Sequence, residues 1–247
     1  MENKLSTVII TLNEEKNIEN CIKSVLDISD EILVVDSLST DKTKEICEKY
    51  DVKFVEQKFL GYRDQKNFAM NAAENNYVLS LDADEAVSED LKKIIIEQKE
   101  KGFEYDAFYI NLLYNFGGKW IRHGEWYPNK KIRLWNREKG EWGGQNIHEN
   151  VKMKKDASIK RIKVDILHYP YEDIADFNKQ LIKFAKVWSQ EKFNKNKKTN
   201  LFSAIGRSIF KFVRGYIFQF GFLDGFYGYV IAKSSAHYTF LKYTGLM

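Results

Sequence analysis

Two carboxylates flanking a single alanine, Asp82-Ala83-Asp84, follow the apolar run Tyr77-Val78-Leu79-Ser80-Leu81. Acids at positions i and i+2 at a strand end can share a hard cation and a diphosphate. Mg2+ or Mn2+ takes one or two carboxylates and completes its shell with phosphate oxygens and water. A lone Asp-x-Asp arises often by chance, and a solvated turn gives the same pattern. Two further polar residues share the setting, because Asn13 follows the run 5–12 and Asp36 ends the run 31–36.

The elements that must hold these residues alternate in type. Residues 5–12, 31–36, 52–55 and 77–81 are short, apolar and rich in β-branched side chains, which suits strands buried on both faces. Between them, Ile18, Cys21, Ile22, Val25 and Leu26 recur at helical spacing. Ser39 or Thr40 can cap a helix through Ile46 and Cys47, residues 65–74 form another, and Ser88 caps a helix running to about residue 101. Strands separated by single helices predict βαβ units and a mostly parallel sheet. Ligands on such sheets bind beyond the carboxyl ends of the strands, the edge where Asn13, Asp36 and Asp82 stand. Residues 107–113, 131–135 and 159–167 read as further strands, and from about residue 171 the pattern is helical.

The net charge of +4 conceals a division: residues 178–247 carry 12 Lys/Arg against Glu191 and Asp224, and the first 177 residues are net negative. The basic end favours a polyanionic surface. It carries no Lys/Arg-rich recognition helix, and the acidic body would repel phosphates, so nucleic acid ranks last. Residues 201–247 also hold 13 of the 36 aromatics. Spanning a bilayer needs roughly 20 consecutive apolar residues. Arg207, Lys211, Arg214, Asp224 and Lys233 interrupt this segment, which suits an interfacial position or an aromatic helical subdomain instead. Cys21 and Cys47 lack metal-ligand spacing and read as reduced core thiols. The sequence enters its first strand without a signal-like segment, from which a cytoplasmic protein, peripheral on the inner face of the cytoplasmic membrane, is expected.

Four stretches carry a family resemblance: Val8-Ile9-Ile10-Thr11-Leu12-Asn13-Glu14-Glu15, Val34-Val35-Asp36-Ser37-Leu38-Ser39-Thr40-Asp41-Lys42-Thr43, Gln65-Lys66-Asn67-Phe68-Ala69, and Val78-Leu79-Ser80-Leu81-Asp82-Ala83-Asp84-Glu85. Their order and spacing resemble the family 2 glycosyltransferases, whose nucleotide-binding fold is the α/β GT-A type. Trp120-Ile121-Arg122-His123-Gly124-Glu125-Trp126-Tyr127-Pro128, Ile147-His148-Glu149, Gly221-Phe222-Leu223-Asp224-Gly225 and Tyr238-Thr239-Phe240-Leu241-Lys242-Tyr243 are similar to the branch holding lipopolysaccharide core β-1,4-glucosyltransferases that act on an inner-core heptose. The resemblance implies a UDP-sugar donor, with Thr11, Asn13 and Glu14 lining the uridine pocket and Asp36 on the uracil or ribose. It further implies Lys66 on the nucleotide or diphosphate, Asp82 and Ala83 in the same pocket, and Asp84 as principal ligand of Mg2+ or Mn2+. Leu38 stands where the family usually has glycine.

Family 2 enzymes invert the anomeric centre, so the attacking hydroxyl needs a general base, usually a carboxylate. Glu149 is the choice, on a stretch whose Gly143 and Gly144 allow close approach to the donor. Glu125 and Asp165 compete with it. His148 is the candidate metal or diphosphate contact, and His168 the weaker one. Trp126 and Tyr127 offer faces for an acceptor sugar, and Arg133 a partner for its phosphates or carboxylates. The expected organisation is a catalytic domain over residues 1–170 (nucleotide half 1–100, acceptor half 101–170) and a helical, basic, membrane-associating extension over 171–247. The implied reaction moves a hexose from a UDP-sugar to a lipid-linked saccharide, with a polyprenyl-linked glycan, a protein acceptor or a non-catalytic scaffold as alternatives. A homo-oligomer is compatible with the pattern.

Overall fold

The computed structural model describes residues 3–145 and 148–247, with only the backbone for Gln145 and His148. Two compact units emerge, Met1–Leu112 with Asn129–His168, and Leu113–Pro128 with Tyr169–Met247.

The first unit begins with β1 (Leu5–Thr11), α1 (Ile18–Lys23), β2 (Glu31–Asp36), α2 (Thr43–Cys47), β3 (Lys53–Glu56), α3 (Tyr62–Ala72) and β4 (Tyr77–Asp82). β1 pairs in parallel with β2 on one side and β4 on the other, and β2 pairs in parallel with β3. Central β1 and β2 bury nearly every residue, as the β-branched runs require. β5 (Glu85–Val87) and α4 (Glu89–Glu100) follow. The Ser88 hydroxyl caps α4 by accepting the Leu91 N–H at 3.3 Å.

β6 (Ala107–Phe116), β7 (Lys119–Ile121), β8 (Asn129–Asn136), β9 (Gly140–Gln145), β10 (His148–Met153) and β11 (Ile159–His168) complete the strands. The large sheet runs β3-β2-β1-β4-β8-β6-β11-β5. β8 therefore inserts antiparallel beside β4, pairing Tyr77 with Asn136 and Leu79 with Leu134 across adjacent strands. β9 and β10 form a separate antiparallel pair, with Glu149 opposite Gly144. Trp142 of β9 joins Trp135 of β8 in the core with ring centroids 5.7 Å apart, edge to face.

The second unit gathers α5 (Ile174–Asn194), α6 (Leu201–Val213) and α7 (Gly225–Thr244), with a π-helical turn at Arg214–Phe218 and a 3-10 turn at Gly221–Asp224. Asp173 caps α5 and Asn200 caps α6 through their side chains. The segment 113–128 groups with these helices rather than with residues 101–170, because Phe116 and Ile121 pack against Phe177 and Ile231. Asp224 ties two sequence-distant stretches of this unit together. Its Oδ2 accepts the N–H groups of Arg122 and His123, and its Oδ1 lies 3.1 Å from His123 Nδ1. No helix among the described residues is long and apolar enough to cross a membrane.

Candidate functional site

The register of the parallel strands sets Thr11 beside Asp36 and Ile10 beside Asp82, so three strand ends meet at one edge. Past β1 the chain turns at Asn13, whose φ of 55° lies in the left-handed region that asparagine tolerates. Asn13 Oδ1 accepts the Thr40 N–H, and its own N–H donates to Ser39 Oγ at 2.8 Å. Asp36, only 2 % exposed, accepts both the backbone N–H and the hydroxyl of Ser39. Ser39 is therefore spent on Asp36 and does not cap α2, which has no side-chain cap and instead follows Asp41, a carboxylate bonded to Thr43. Thr11 Oγ1 is buried and has no hydrogen-bond partner among the described residues. Glu14 completes the rim, and burial raises its carboxyl above the ordinary range, although the Asn17 hydrogen bond opposes this.

Beneath the rim lies a charged network. Lys66 of α3, 2 % exposed, places its ammonium 3.0 Å from Asp82 Oδ1 and 2.9 Å from Glu149 Oε1. Arg133 of β8 donates to Glu85 Oε1 at 2.5 Å and to Asp82 Oδ2 at 3.2 Å, while Glu85 Oε2 accepts the Asp82 N–H. The Trp142 ring lies beside both cations, 4.7 Å from Lys66 Nζ and 5.6 Å from the Arg133 guanidinium carbon. Burial disfavours the Asp82 carboxylate, but Lys66 and Arg133 outweigh it and hold the group well below the usual range. For Glu85 burial prevails over Arg133 and raises the carboxyl. Burial likewise lowers the neighbouring Lys131, with Arg133 adding to the effect.

The structure thus brings Lys66, Asp82 and Glu149 into one cluster and sets Thr11, Asn13, Glu14 and Asp36 along the same strand edge. Ala83 continues it, its N–H donating to Ile10 O. Arg133 is not an open acceptor contact: it is 5 % exposed and committed to Glu85 and Asp82 beneath the pocket. Its Nε and Nη1 have no hydrogen-bond partner among the described residues. Trp126 packs with Phe116, Tyr171 and Phe177 in the aromatic cluster of the second unit, and Tyr127 belongs to that unit too. Glu125 is paired with Lys211 at 2.6 Å, and Asp165 is hydrogen-bonded to Asn111. Glu85, Trp142 and the Arg133 pairing were missed by sequence reasoning. Only Glu85 gave a local signal, as the acid that directly follows Asp84.

Asp84 Oδ2 lies 3.1 Å from His168 Nε2 at the end of β11, while the His148 side chain falls outside the described residues. Burial opposes the His168 imidazolium, but the Asp84 charge and hydrogen bond outweigh it and raise the group. Among the described residues no three His, Cys, Asp or Glu side chains gather as a ready-made metal cage. A nucleotide site does not require one, because substrate phosphates and water supply most of the ligands. Among the described residues Asp84, unlike Asp82, has no lysine or arginine bonded to it, so Asp84 with His168 fits a divalent ion bound together with a diphosphate.

The sequence model of "Glycosyl transferase family 2" matches residues 6–156. An uncharacterized glycosyltransferase of Rickettsia typhi is 32 % identical, over 97 % of this chain and 85 % of its own length. The lipopolysaccharide core biosynthesis glycosyltransferase LpsC of Rhizobium meliloti is 25 % identical over 96 % of this chain and 89 % of its own. The solved structure of S. aureus TarS 1-349 in complex with UDP-GlcNAc superposes with a TM-score of 0.49 and 19 % identity, covering 74 % of this chain and 65 % of that one. With the parallel strands and their polar edge in place, and over half of the chain matched, the protein belongs to glycosyl transferase family 2, on a GT-A-type α/β core.

Proposed function

We propose that the enzyme moves a hexose, glucose from UDP-glucose foremost, onto a lipid-linked saccharide such as the inner-core heptose of lipopolysaccharide, working on the inner face of the cytoplasmic membrane. The lipopolysaccharide acceptor draws support from the similarity to LpsC along nearly the whole chain. One observation carries the catalytic part. The Lys66 ammonium lies between Asp82, at the end of β4, and Glu149, from β10, so a strand-end carboxylate and the candidate base share one site.

In this reading Thr11, Asn13, Glu14 and Asp36 receive the uridine, and Lys66, Asp82 and Ala83 line the donor's ribose and diphosphate. Asp84 and His168 would hold the divalent ion, which supplies positive charge to the departing diphosphate. The acceptor hydroxyl oxygen bonds to the anomeric carbon as the bond to the diphosphate oxygen breaks on the opposite face. The hydroxyl proton passes to Glu149, the pathway of a single inverting displacement. Glu149 Oε1 is held by Lys66, which leaves the second carboxyl oxygen to meet the hydroxyl. Trp126 and Tyr127 remain the acceptor-stacking candidates.

A panel of UDP-sugars with Mn2+ or Mg2+, scored by UDP release on membrane lipid extracts, tests the reading. Glu149→Gln is expected to keep UDP affinity and lose about 10²–10⁴-fold in transfer, the range for a positioned base. Unchanged turnover would remove Glu149 from that role. Asp84→Ala is expected to abolish the metal dependence together with most of the activity.

A further inference from the structure

The helical pair α6–α7 is built inside out. Small side chains are prominent in its packing: Ala204 of α6 is buried, Ser208 donates to Ala236 O at 2.8 Å, and Gly228, Ala232, Ser234 and Ser235 of α7 are buried, alongside an edge contact of Phe212 with Tyr229 at 5.9 Å. A Cβ on Gly228 would stand 1.9 Å from Gly221 O, so only glycine permits that approach. Small residues let helices meet closely, a device common where lipid rather than water surrounds them. The large apolar side chains point outward. On α6, Phe202 is 87 % exposed and Phe210 61 %; in the following turns and the start of α7, Phe218 is 68 %, Phe220 57 %, Leu223 56 % and Phe226 66 % exposed.

Within the turns this outer surface is continuous over residues 216, 220 and 222. Tyr216 touches Phe222, and Phe222 touches Phe220, at centroid separations of 6.3 and 6.1 Å. Residues 215–223 contain no charge, Arg214 immediately precedes them as an exposed cation, and Arg207 and Lys233 are exposed on the same two helices. An apolar patch of this kind costs free energy in water and marks an interaction surface. Exposed phenylalanines together with exposed Arg and Lys, on a segment of net charge +10 from residue 178 onward, match an anionic bilayer surface.

We propose that the outer face of α6 and the turns at residues 214–226 form a membrane anchor. The phenylalanines enter the acyl boundary of an anionic leaflet, and Arg207, Arg214 and Lys233 meet its lipid phosphates. This rests on the membrane reading above and names the surface that serves it.

The full-length protein is floated with vesicles of equal phosphatidylethanolamine and phosphatidylglycerol, and with phosphatidylcholine alone. The combined variant Phe218→Ser, Phe222→Ser and Phe226→Ser is expected to lose about tenfold or more in binding to the anionic vesicles. Its far-ultraviolet circular dichroism and donor hydrolysis should stay at wild-type level. Undiminished flotation of this variant overturns the anchor. The native cysteines are buried, so an environment-sensitive dye can be placed at Phe222→Cys alone. Its emission is expected to shift to the blue on anionic vesicles and to be quenched by brominated acyl chains. A water-like emission on vesicle-bound protein overturns the proposal. So does a blue shift without lipid that tracks dimer formation, which would make a second copy the occupant. Donor turnover without flotation refutes the anchor alone; flotation without turnover of any UDP-sugar refutes the transferase reading alone.

Discussion

Lys66 is the residue on which the charged network turns, because one ammonium compensates two carboxylates from different elements. Lys66→Met keeps the bulk of the side chain beside Trp142 but removes the charge. It is expected to destabilise the fold by about 2–4 kcal/mol in urea denaturation, less than a fully buried pair would lose because Asp82 is 28 % exposed. Calorimetry should show a parallel loss of UDP affinity. Asp30 offers a test by pH, remote from the pocket. Partial burial disfavours its charge, but Lys99 and the Leu5 N–H outweigh this and lower its carboxyl below the ordinary range. A carboxyl depressed on folding contributes stability above its unfolded value, and that stability disappears as pH falls through the folded value. Asp30→Asn should therefore melt lower than wild type at neutral pH, by about 2–4 °C for a loss near 1 kcal/mol. The gap should close as pH falls below about 4, the ordinary aspartate range. The shared edge position of Asp36 and Asp82 was legible because each ends a strand whose sequence declares it, and that of Asn13 because it follows β1 by two residues. Arg133 was not, because its partners Glu85 and Asp82 depend on β8 lying beside β4, a pairing that nothing local encodes.

Among the elements, the turn after β2 carries a visible strain. Leu38 adopts φ 66° with its side chain 52 % exposed, so it bears the left-handed penalty with little burial in return. Leu38→Gly is expected to raise stability by about 0.5–1 kcal/mol, the relieved strain exceeding the entropy that glycine adds to the unfolded chain. An unchanged or lowered melting temperature would show that the leucine contributes contacts that outweigh its backbone cost. The α4 cap gives the opposite sign: Ser88→Ala removes the bond to the Leu91 N–H and should cost about 1 kcal/mol. The four parallel strands were readable from their short β-branched runs, α4 because its helical period and the Ser88 cap agree, and α5 from its helical period alone. β5 and β7, each three residues long, are too short to show a period. The expected Ser39 or Thr40 cap failed for another reason: the Asp36 carboxylate takes the Ser39 hydroxyl first.

For the whole molecule, the charge division is the property most readily measured. With an acidic first part and a +10 end, the proposed attraction to anionic vesicles is expected to weaken with salt. Raising sodium chloride from about 0.05 to 0.5 M shortens the Debye length to a few ångströms and should reduce binding without abolishing it. Complete release would mean that charge alone holds the protein. The inside-out packing of α6 and α7 has a practical consequence as well. Ser208 and Ala236, with the Phe212–Tyr229 and Arg207–Tyr243 contacts, join the two helices, whereas Phe202, Phe210 and Phe218 are each more than 60 % exposed. The exterior can therefore be rewritten while the interior stays intact. Replacing Phe202, Phe210 and Phe218 with glutamate should yield a chain that purifies without detergent and melts within a degree or two of the parent, a range set by near-neutral surface substitutions.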